Sequence, residues 1–118
     1  MTHIEQEETT TVSQQIPSVG RIVHYTLSEQ DAEAINRRRK DAATNRDRIA
    51  DDAIGYVAHV GNVAEAGQVF PMLITRVWGN TPTSSVNGQV SLDGNDVLWA
   101  TSVAVGEGPR TFAWPPRV

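Results

Sequence analysis

A chain of 118 residues fits one domain with a modest core, and its hydrophobic content of 39% lies slightly below the globular average. The net charge of −4 shows that the chain as a whole lacks the strongly basic character typical of nucleic-acid-binding proteins, and the absence of cysteine excludes disulfides and cysteine-based zinc sites. Neither a membrane-spanning apolar run nor a signal-peptide pattern is present, so we expect a cytosolic protein that does not bind membranes.

The first seventeen residues, MTHIEQEETTTVSQQIP, are polar and aperiodic. They offer too little apolar surface to offset the entropy of ordering, so they predict a flexible leader ahead of a single domain at residues 18–118. Apolar residues on both faces of Val19–Leu27 predict the first strand of that domain, buried in part on each side.

A long helix is predicted next, from about residue 28 to residue 53, because this stretch is rich in alanine and free of glycine and proline. Ser28 is a suitable N-cap for this helix. Its apolar face is thin, and the residues that recur there at seven-residue spacing are Ile35, Ala42 and Ile49. Such a helix lies on a surface or pairs weakly with a symmetry mate, which predicts a homo-oligomer.

The rest of the chain predicts short strands joined by tight turns. A weak strand pattern at residues 56–60 and a loop at 61–68 precede the strongest strand, Val69–Trp78, whose Pro71 indicates an edge or a strand start. Further strands are predicted at Val86–Leu92, Val97–Val105 and Arg110–Trp114. Gly88 indicates a bulge in the first of these, and the turns that follow are DGND at 93–96 and GEGP at 106–109.

This order of elements predicts an α+β fold that is mainly β. The strands form a small antiparallel barrel or curled sheet, SH3-like or OB-like, because they are short and separated by tight turns. The long helix is inserted between the first two strands.

Few residues suggest catalysis or metal binding. Ser102 or Thr101 with His24 is the nearest approach to a nucleophile and base, but no spacing singles them out, so we predict no enzyme activity. The three histidines are far apart in the sequence, and DGND lacks the ligand spacing of a calcium loop. We therefore predict neither a metal site nor a cofactor.

Ligand binding has more support. Four aromatic residues lie near the ends of predicted strands, where rings either fill the core or stack on a base or sugar: Tyr25, Trp78, Trp99 and Trp114. Arg38 and Arg39 belong to a basic run on the helix and are either solvated or paired with a phosphate group of the ligand. The predicted hydrogen-bonding residues of the same site are Asn87, Thr101 and Ser102.

Several strings together resemble a family of small proteins from bacteriophages and prophages: VGRIVHYTLSEQDAEAINRRR, HVGN, FPMLITRVWG, VNGQVSLDGND, WATSV, GEGP and WPPRV. The resemblance runs from Ser18 to Val118 and implies a phage origin and the predicted barrel, without implying an activity. Shorter relatives resemble the strands without the helical insert. Two stretches depart from the family pattern: Ala113 stands where Thr-Trp-His-Trp-Pro has histidine, and Gly88 where Val-Asn-Leu-Gln-Val-Phe has leucine. No acid–base role is therefore implied at position 113.

Two functional hypotheses follow. The first is a phage accessory protein in the host cytoplasm that binds a small nucleotide-like ligand without turnover, as a protein that sequesters a host immune signal would. The second is a virion structural protein, a capsid decoration or a head or tail component, whose leader and aromatic tail contact a partner. A single-strand nucleic-acid binder is a third interpretation, which the near-neutral barrel disfavours.

Overall fold

The computed structural model describes residues 15–44 and 59–116, which form a small β-barrel with one helix. The elements in chain order are β1 (Ile22–Thr26), α1 (Glu29–Thr44), β2 (Val69–Trp78), β3 (Ser85–Ser91), β4 (Val97–Val105) and β5 (Thr111–Ala113). The sheet closes on itself in the order β1-β2-β3-β4-β5. The predicted α+β, mainly β class is therefore confirmed, with the helix between the first two strands.

Each strand of the barrel pairs with the next one in the chain, and β5 closes the ring. The first four strands pair antiparallel, while β5 runs antiparallel to β1 and parallel to β4. Because strands that follow one another in sequence are also neighbours in the sheet, the order is a meander. This matches the SH3-like alternative rather than the Greek-key order of an OB barrel.

The core lies inside the barrel and under the first half of α1. Its buried apolar residues are Val23, Tyr25, Leu27, Ala32, Ile35, Ala64, Met72, Ile74, Val86, Val90, Leu92, Ala100, Val103 and Phe112. Tyr25 of β1 and Phe112 of β5 face each other in the strand register and are the largest of the fully buried side chains. Burial of a side chain such as Phe112 contributes about 1.5–3 kcal/mol, so this pair is a main attachment of the short closing strand.

The start of α1 is held by a reciprocal cap. The Ser28 Oγ accepts a hydrogen bond from the backbone N–H of Asp31 at 3.0 Å, and the Asp31 carboxylate accepts one from the backbone N–H of Ser28 at 3.0 Å. The predicted capping role of Ser28 is therefore confirmed. The described part of the chain contains no helix long and apolar enough to cross a membrane.

The last part of the predicted helix and most of the predicted strand at 56–60 are not described by the structure. The predicted helix residues 45–53 and the strand residues 56–58 lie outside the described ranges. His59 and Val60, the rest of that predicted strand, have no regular secondary structure.

Pro71 and Gly88 occupy the special positions that their residue types predicted. Pro71 pairs with β1, whereas pairing of β2 with β3 begins only at Met72. Gly88 points inward, where an added Cβ would lie 2.5 Å from the Cγ of Met72. The Met72 side chain therefore fills the space beside Gly88, and no larger residue fits there without movement of Met72.

Candidate functional site

Three neighbouring strands, β2, β3 and β4, direct a set of aromatic and polar side chains outward. We call this surface the sheet face, and its members are Leu73, Arg76, Trp78, Asn87, Gln89, Trp99 and Ser102. The strand register sets Leu73, Gln89 and Trp99 side by side across the three strands, and it sets Arg76 opposite Asn87. The alternate residues of these strands are buried in the core, so the sheet face is the solvent side of the barrel.

The sheet face carries almost no charge. Among the residues of β1 to β5, Arg76 is the only one with a permanent charge. The face therefore presents rings, amides, hydroxyls and one guanidinium. A surface of this composition is suited to stacking and hydrogen bonding more than to attraction by net charge.

Two strand irregularities flank Asn87 at the centre of this face. On one side, β2 has the additional residue Thr75 between the partners of Gly88 and Asn87. On the other side, β4 sets Thr101 and Ser102 against the single residue Asn87. Bulges of this kind redirect side chains and are frequent beside functional sites.

Ser102 adopts a backbone conformation that is uncommon for a residue with a side chain. Its φ is 52°, in the left-handed region, which costs about 1–2 kcal/mol. The Asn87 Oδ1 accepts a hydrogen bond from the Ser102 backbone N–H at 2.8 Å, which stabilises this conformation. The bulge therefore depends on the Asn87 side chain.

Asn87 also fixes Trp78. The same Oδ1 accepts a hydrogen bond from the indole Nε1 of Trp78 at 3.1 Å, while the Asn87 backbone carbonyl accepts one from the Thr75 hydroxyl at 3.3 Å. The amide nitrogen Nδ2 of Asn87 donates to no residue in the described ranges. Two N–H groups are thus left for an external acceptor beside a held indole ring.

The two tryptophans of the sheet face are well exposed. Trp78 is 51% exposed, and the guanidinium carbon of Arg76 lies 3.9 Å from its ring centroid, in a cation–π contact. Trp99 is 68% exposed. Two large rings this exposed on one face are an informative departure from ordinary burial, which makes the sheet face a candidate contact surface.

Two of the predicted aromatic site residues lie elsewhere. Tyr25 is fully buried, its hydroxyl donates a hydrogen bond to Asp31 at 2.6 Å, and desolvation by burial, with this hydrogen bond, raises the Tyr25 pKa far above its usual range. Its ring therefore belongs to the core and presents no face for stacking. Trp114 is half-buried, with its ring 6.2 Å from that of Phe112 in an edge contact and the Arg21 guanidinium 4.8 Å from its centroid.

The helix arginines converge on a different region, beside the turn between β3 and β4. We call Arg38, Arg39, His59 and Asp96 the helix–turn cluster. Arg39 donates to the Asp96 carboxylate at 2.9 Å and Arg38 at 3.5 Å, while the His59 Nδ1 lies 3.8 Å from it. The Asp96 side chain is 1% exposed and that of Arg39 is 9% exposed, so this ion pair is buried.

Two glycines let the Arg39 side chain reach this position. Gly61 and Gly94 form an isolated bridge between the loop after α1 and the turn after β3, and Arg39 also donates to the carbonyl of Asn62. A Cβ at Gly61 would lie 2.8 Å from the Arg39 Cζ, and a Cβ at Gly94 would lie 2.8 Å from its Nη2. The guanidinium therefore lies against the bare backbone of both glycines and joins the helix to the barrel.

The predicted site residues thus divide into separate groups. The structure brings five of them together on or beside the sheet face: Trp78, Asn87, Trp99, Thr101 and Ser102. Arg38 and Arg39 belong to the helix–turn cluster, where both contact the single carboxylate of Asp96, instead of facing the rings with which they were predicted to share a ligand.

Sequence reasoning missed three residues that matter in these regions. Arg76 had a usable signal, because it is the one charged residue of the strongest predicted strand, Val69–Trp78. In the sequence, Asp96 has the pattern of a turn residue and His59 that of an isolated histidine. The contact of Asp96 with Arg39 spans 57 positions of sequence.

Within the described ranges, no group of three or more His, Asp or Glu side chains is placed to hold a metal ion. Comparison of the chain with protein-family models, with curated proteins and with solved structures gives no match.

Proposed function

We propose that the protein is a binding protein without catalytic turnover, and that it takes up a small nucleotide-like ligand on the sheet face. The observation that carries the proposal is Trp78. This ring is half exposed, yet it is held in place by the Asn87 amide and the Arg76 guanidinium. A ring ordered in this way before binding loses little entropy when a ligand stacks on it.

The surroundings of Trp78 suit the parts of a nucleotide. A base stacks on an indole ring, a contact that contributes about 1–3 kcal/mol per base. The free N–H groups of the Asn87 amide suit a carbonyl or ring nitrogen of the base, and Arg76 suits a phosphate oxygen. Trp99, on the same face, offers a stacking position for a second ring.

The proposal includes no reaction step. Ser102 and Thr101, the hydroxyl residues of the bulge, form no hydrogen bond with His24 within the described ranges. The Ser102 backbone is instead engaged by Asn87. A phage origin, which the resemblance implies, would suit a role in which the ligand is a host immune nucleotide that the protein sequesters.

Calorimetry tests this proposal directly. The full chain is titrated with a panel of cyclic nucleotides, cyclic dinucleotides and ADP-ribose-type compounds. We expect one class to bind with a Kd below about 1 mM, and Trp78→Leu to weaken binding about tenfold or more. Val63→Ala, which alters an exposed loop residue, is the matched control. Absence of binding across the panel at millimolar ligand, or equal binding by Trp78→Leu, would refute the proposal.

A virion structural role remains the second candidate because of an apolar row across four strands. The register sets Ile22, Leu73, Gln89 and Trp99 side by side, and the three apolar members are 56%, 43% and 68% exposed. Such a row suits the core of a protein interface. Mass spectrometry of purified phage particles separates the candidates: many copies per particle support the structural role, and absence from particles refutes it.

A further inference from the structure

The helix–turn cluster contains more hydrogen-bond donors than its acceptors can satisfy. Two guanidinium groups, from Arg38 and Arg39, face one carboxylate, Asp96, so among the ion pairs of the described ranges this carboxylate balances only one of the two positive charges. Asp93, in the same turn, is exposed and accepts a hydrogen bond from the Asn62 side chain. The cluster therefore has an excess of both positive charge and N–H groups.

Three nitrogen atoms of the cluster are buried and have no hydrogen-bond partner among the described residues. They are the Nε of Arg38, the Nε of Arg39 and the Nδ1 of His59. Leaving a buried donor unpaired costs about 1–3 kcal/mol, and more for a charged group. The Nε of an arginine always carries a hydrogen, so Arg38 and Arg39 each present a donor that a nearby acceptor, a water or an anion, would satisfy. The His59 Nδ1 joins them as a donor when it carries a proton.

The cluster has a buried floor and an accessible rim. Arg39 and Asp96 form the floor, because their side chains are only 9% and 1% exposed. Arg38 and His59 form the rim, because each side chain is 35% exposed. Arg38 donates to Asp96 only at 3.5 Å, so most of its N–H groups are left for another acceptor.

We propose that the rim of the helix–turn cluster binds a compact tetrahedral oxyanion, the chemistry of a phosphate group. Arg38 and His59 contact the anion, while the Arg39–Asp96 pair positions the helix beneath it. Arginine suits this ligand because its planar fork matches two oxygens at once. The inference rests on different residues from the sheet face and does not depend on the function proposed above.

The test uses the full chain and inorganic phosphate as the probe. Amide chemical shifts are followed by NMR while phosphate is added at constant ionic strength, with chloride and acetate as comparison anions. We expect saturable shifts at residues around Arg38 and Asp96 with phosphate alone. Equal shifts with chloride or acetate, or no saturable shift with phosphate, would overturn the proposal.

Neighbouring arginines supply matched variants. Arg38→Gln removes a rim residue, whereas Arg37→Gln removes the same charge from an exposed position one residue away with no contact to Asp96. We expect Arg38→Gln to weaken phosphate binding about tenfold, equivalent to one charge-assisted hydrogen bond, and Arg37→Gln to leave it within about twofold. Equal losses in the two variants would overturn the proposal.

A second rim variant, His59→Ala, is used if Arg38→Gln does not fold normally. If the near-ultraviolet circular dichroism of Arg38→Gln differs from that of the unmodified chain, His59→Ala takes its place. We expect this variant to keep the native spectrum, since His59 is half exposed and lies in a segment without regular structure, and to bind phosphate more weakly. Unchanged binding in His59→Ala contradicts the assignment of the rim.

Discussion

The helix–turn cluster buries charged side chains, whereas the sheet face has one charged side chain and exposes aromatic rings. In the cluster, two arginines and a histidine surround a carboxylate that is 1% exposed, and two glycines bring the backbone close enough to support the contact. Across the sheet face, one arginine is the only charge, and two tryptophans are left in solvent. The difference indicates that the ion pairs of the cluster fix the helix to the barrel, whereas the rings of the sheet face remain exposed to solvent.

The largest expected effect comes from removing the buried carboxylate. Asp96→Asn leaves Arg39 buried without a counter-ion, and breaking a buried pair in this way costs about 3–5 kcal/mol. Urea denaturation followed by circular dichroism measures the loss in the free energy of unfolding. The control, Glu107→Gln, neutralises an exposed turn residue, and we expect a change within about 0.5 kcal/mol. A loss of unfolding free energy as small as that of the control would show that the cluster does not hold the helix to the barrel.

The second largest loss of stability is expected where Gly61, in the loop before β2, meets Gly94, in the turn after β3. In Gly94→Ala the new Cβ would lie 2.4 Å from the carbonyl oxygen of Val60 and 2.8 Å from the Arg39 Nη2, so we expect a loss of about 1–3 kcal/mol. Gly108→Ala is the matched control, because its Cβ would meet no atom within 4 Å. Comparable melting temperatures for the two variants would contradict the packing described for Arg39.

Tyr25→Phe should cost about 1–2 kcal/mol at neutral pH, because it removes the buried hydrogen bond to Asp31. It should also change how the free energy of unfolding depends on pH above about pH 10. The folded-state pKa of Tyr25 is raised, first by burial and then by Asp31, so above pH 10 the hydroxyl ionises in the unfolded chain before it does so in the folded one.

The sign of the pH effect follows from that order. The Tyr25 contribution to stability is fully present below the unfolded-state pKa near 10, and it is lost as the pH rises above that value. Urea titrations between pH 8 and pH 11, expressed as the difference between the unmodified chain and Tyr25→Phe, isolate this effect. A difference that does not shrink as the pH rises would contradict the burial of the hydroxyl.

The smallest effect is expected on the sheet face. Asn87→Ala removes the acceptor of the Ser102 and Trp78 hydrogen bonds, and since both are near solvent we expect a loss of about 1 kcal/mol. Gln89→Ala, on the same strand and exposed, should change stability by less than about 0.5 kcal/mol. A red shift of tryptophan emission in Asn87→Ala alone would report the release of Trp78, and its absence would weaken the argument that Asn87 holds the ring.

The sequence predicted most of the fold because its strands are apolar runs bounded by turn residues. The bounds of β2 and β4 match the predicted Val69–Trp78 and Val97–Val105. The two bulges around Asn87 were only partly indicated, through Gly88, because strand register depends on side chains of three different strands. The partners of Arg38 and Arg39 were not predictable, because Asp96 reaches them through a tertiary contact that leaves no periodic pattern in the sequence.

The three-residue strand β5 has a consequence for how the barrel folds. It joins β1 through Tyr25 and Phe112, residues from opposite ends of the described chain, whereas β3 and β4 are joined by a short turn. Closing a long loop costs more chain entropy than closing a short one, so we expect the β3–β4 hairpin to form early and β5 to dock late. In stopped-flow kinetics, Phe112→Leu should then mainly speed unfolding and Val90→Ala should mainly slow folding. The lifetime of the native barrel would accordingly be set by the undocking of β5, even though the meander contributes more of the core.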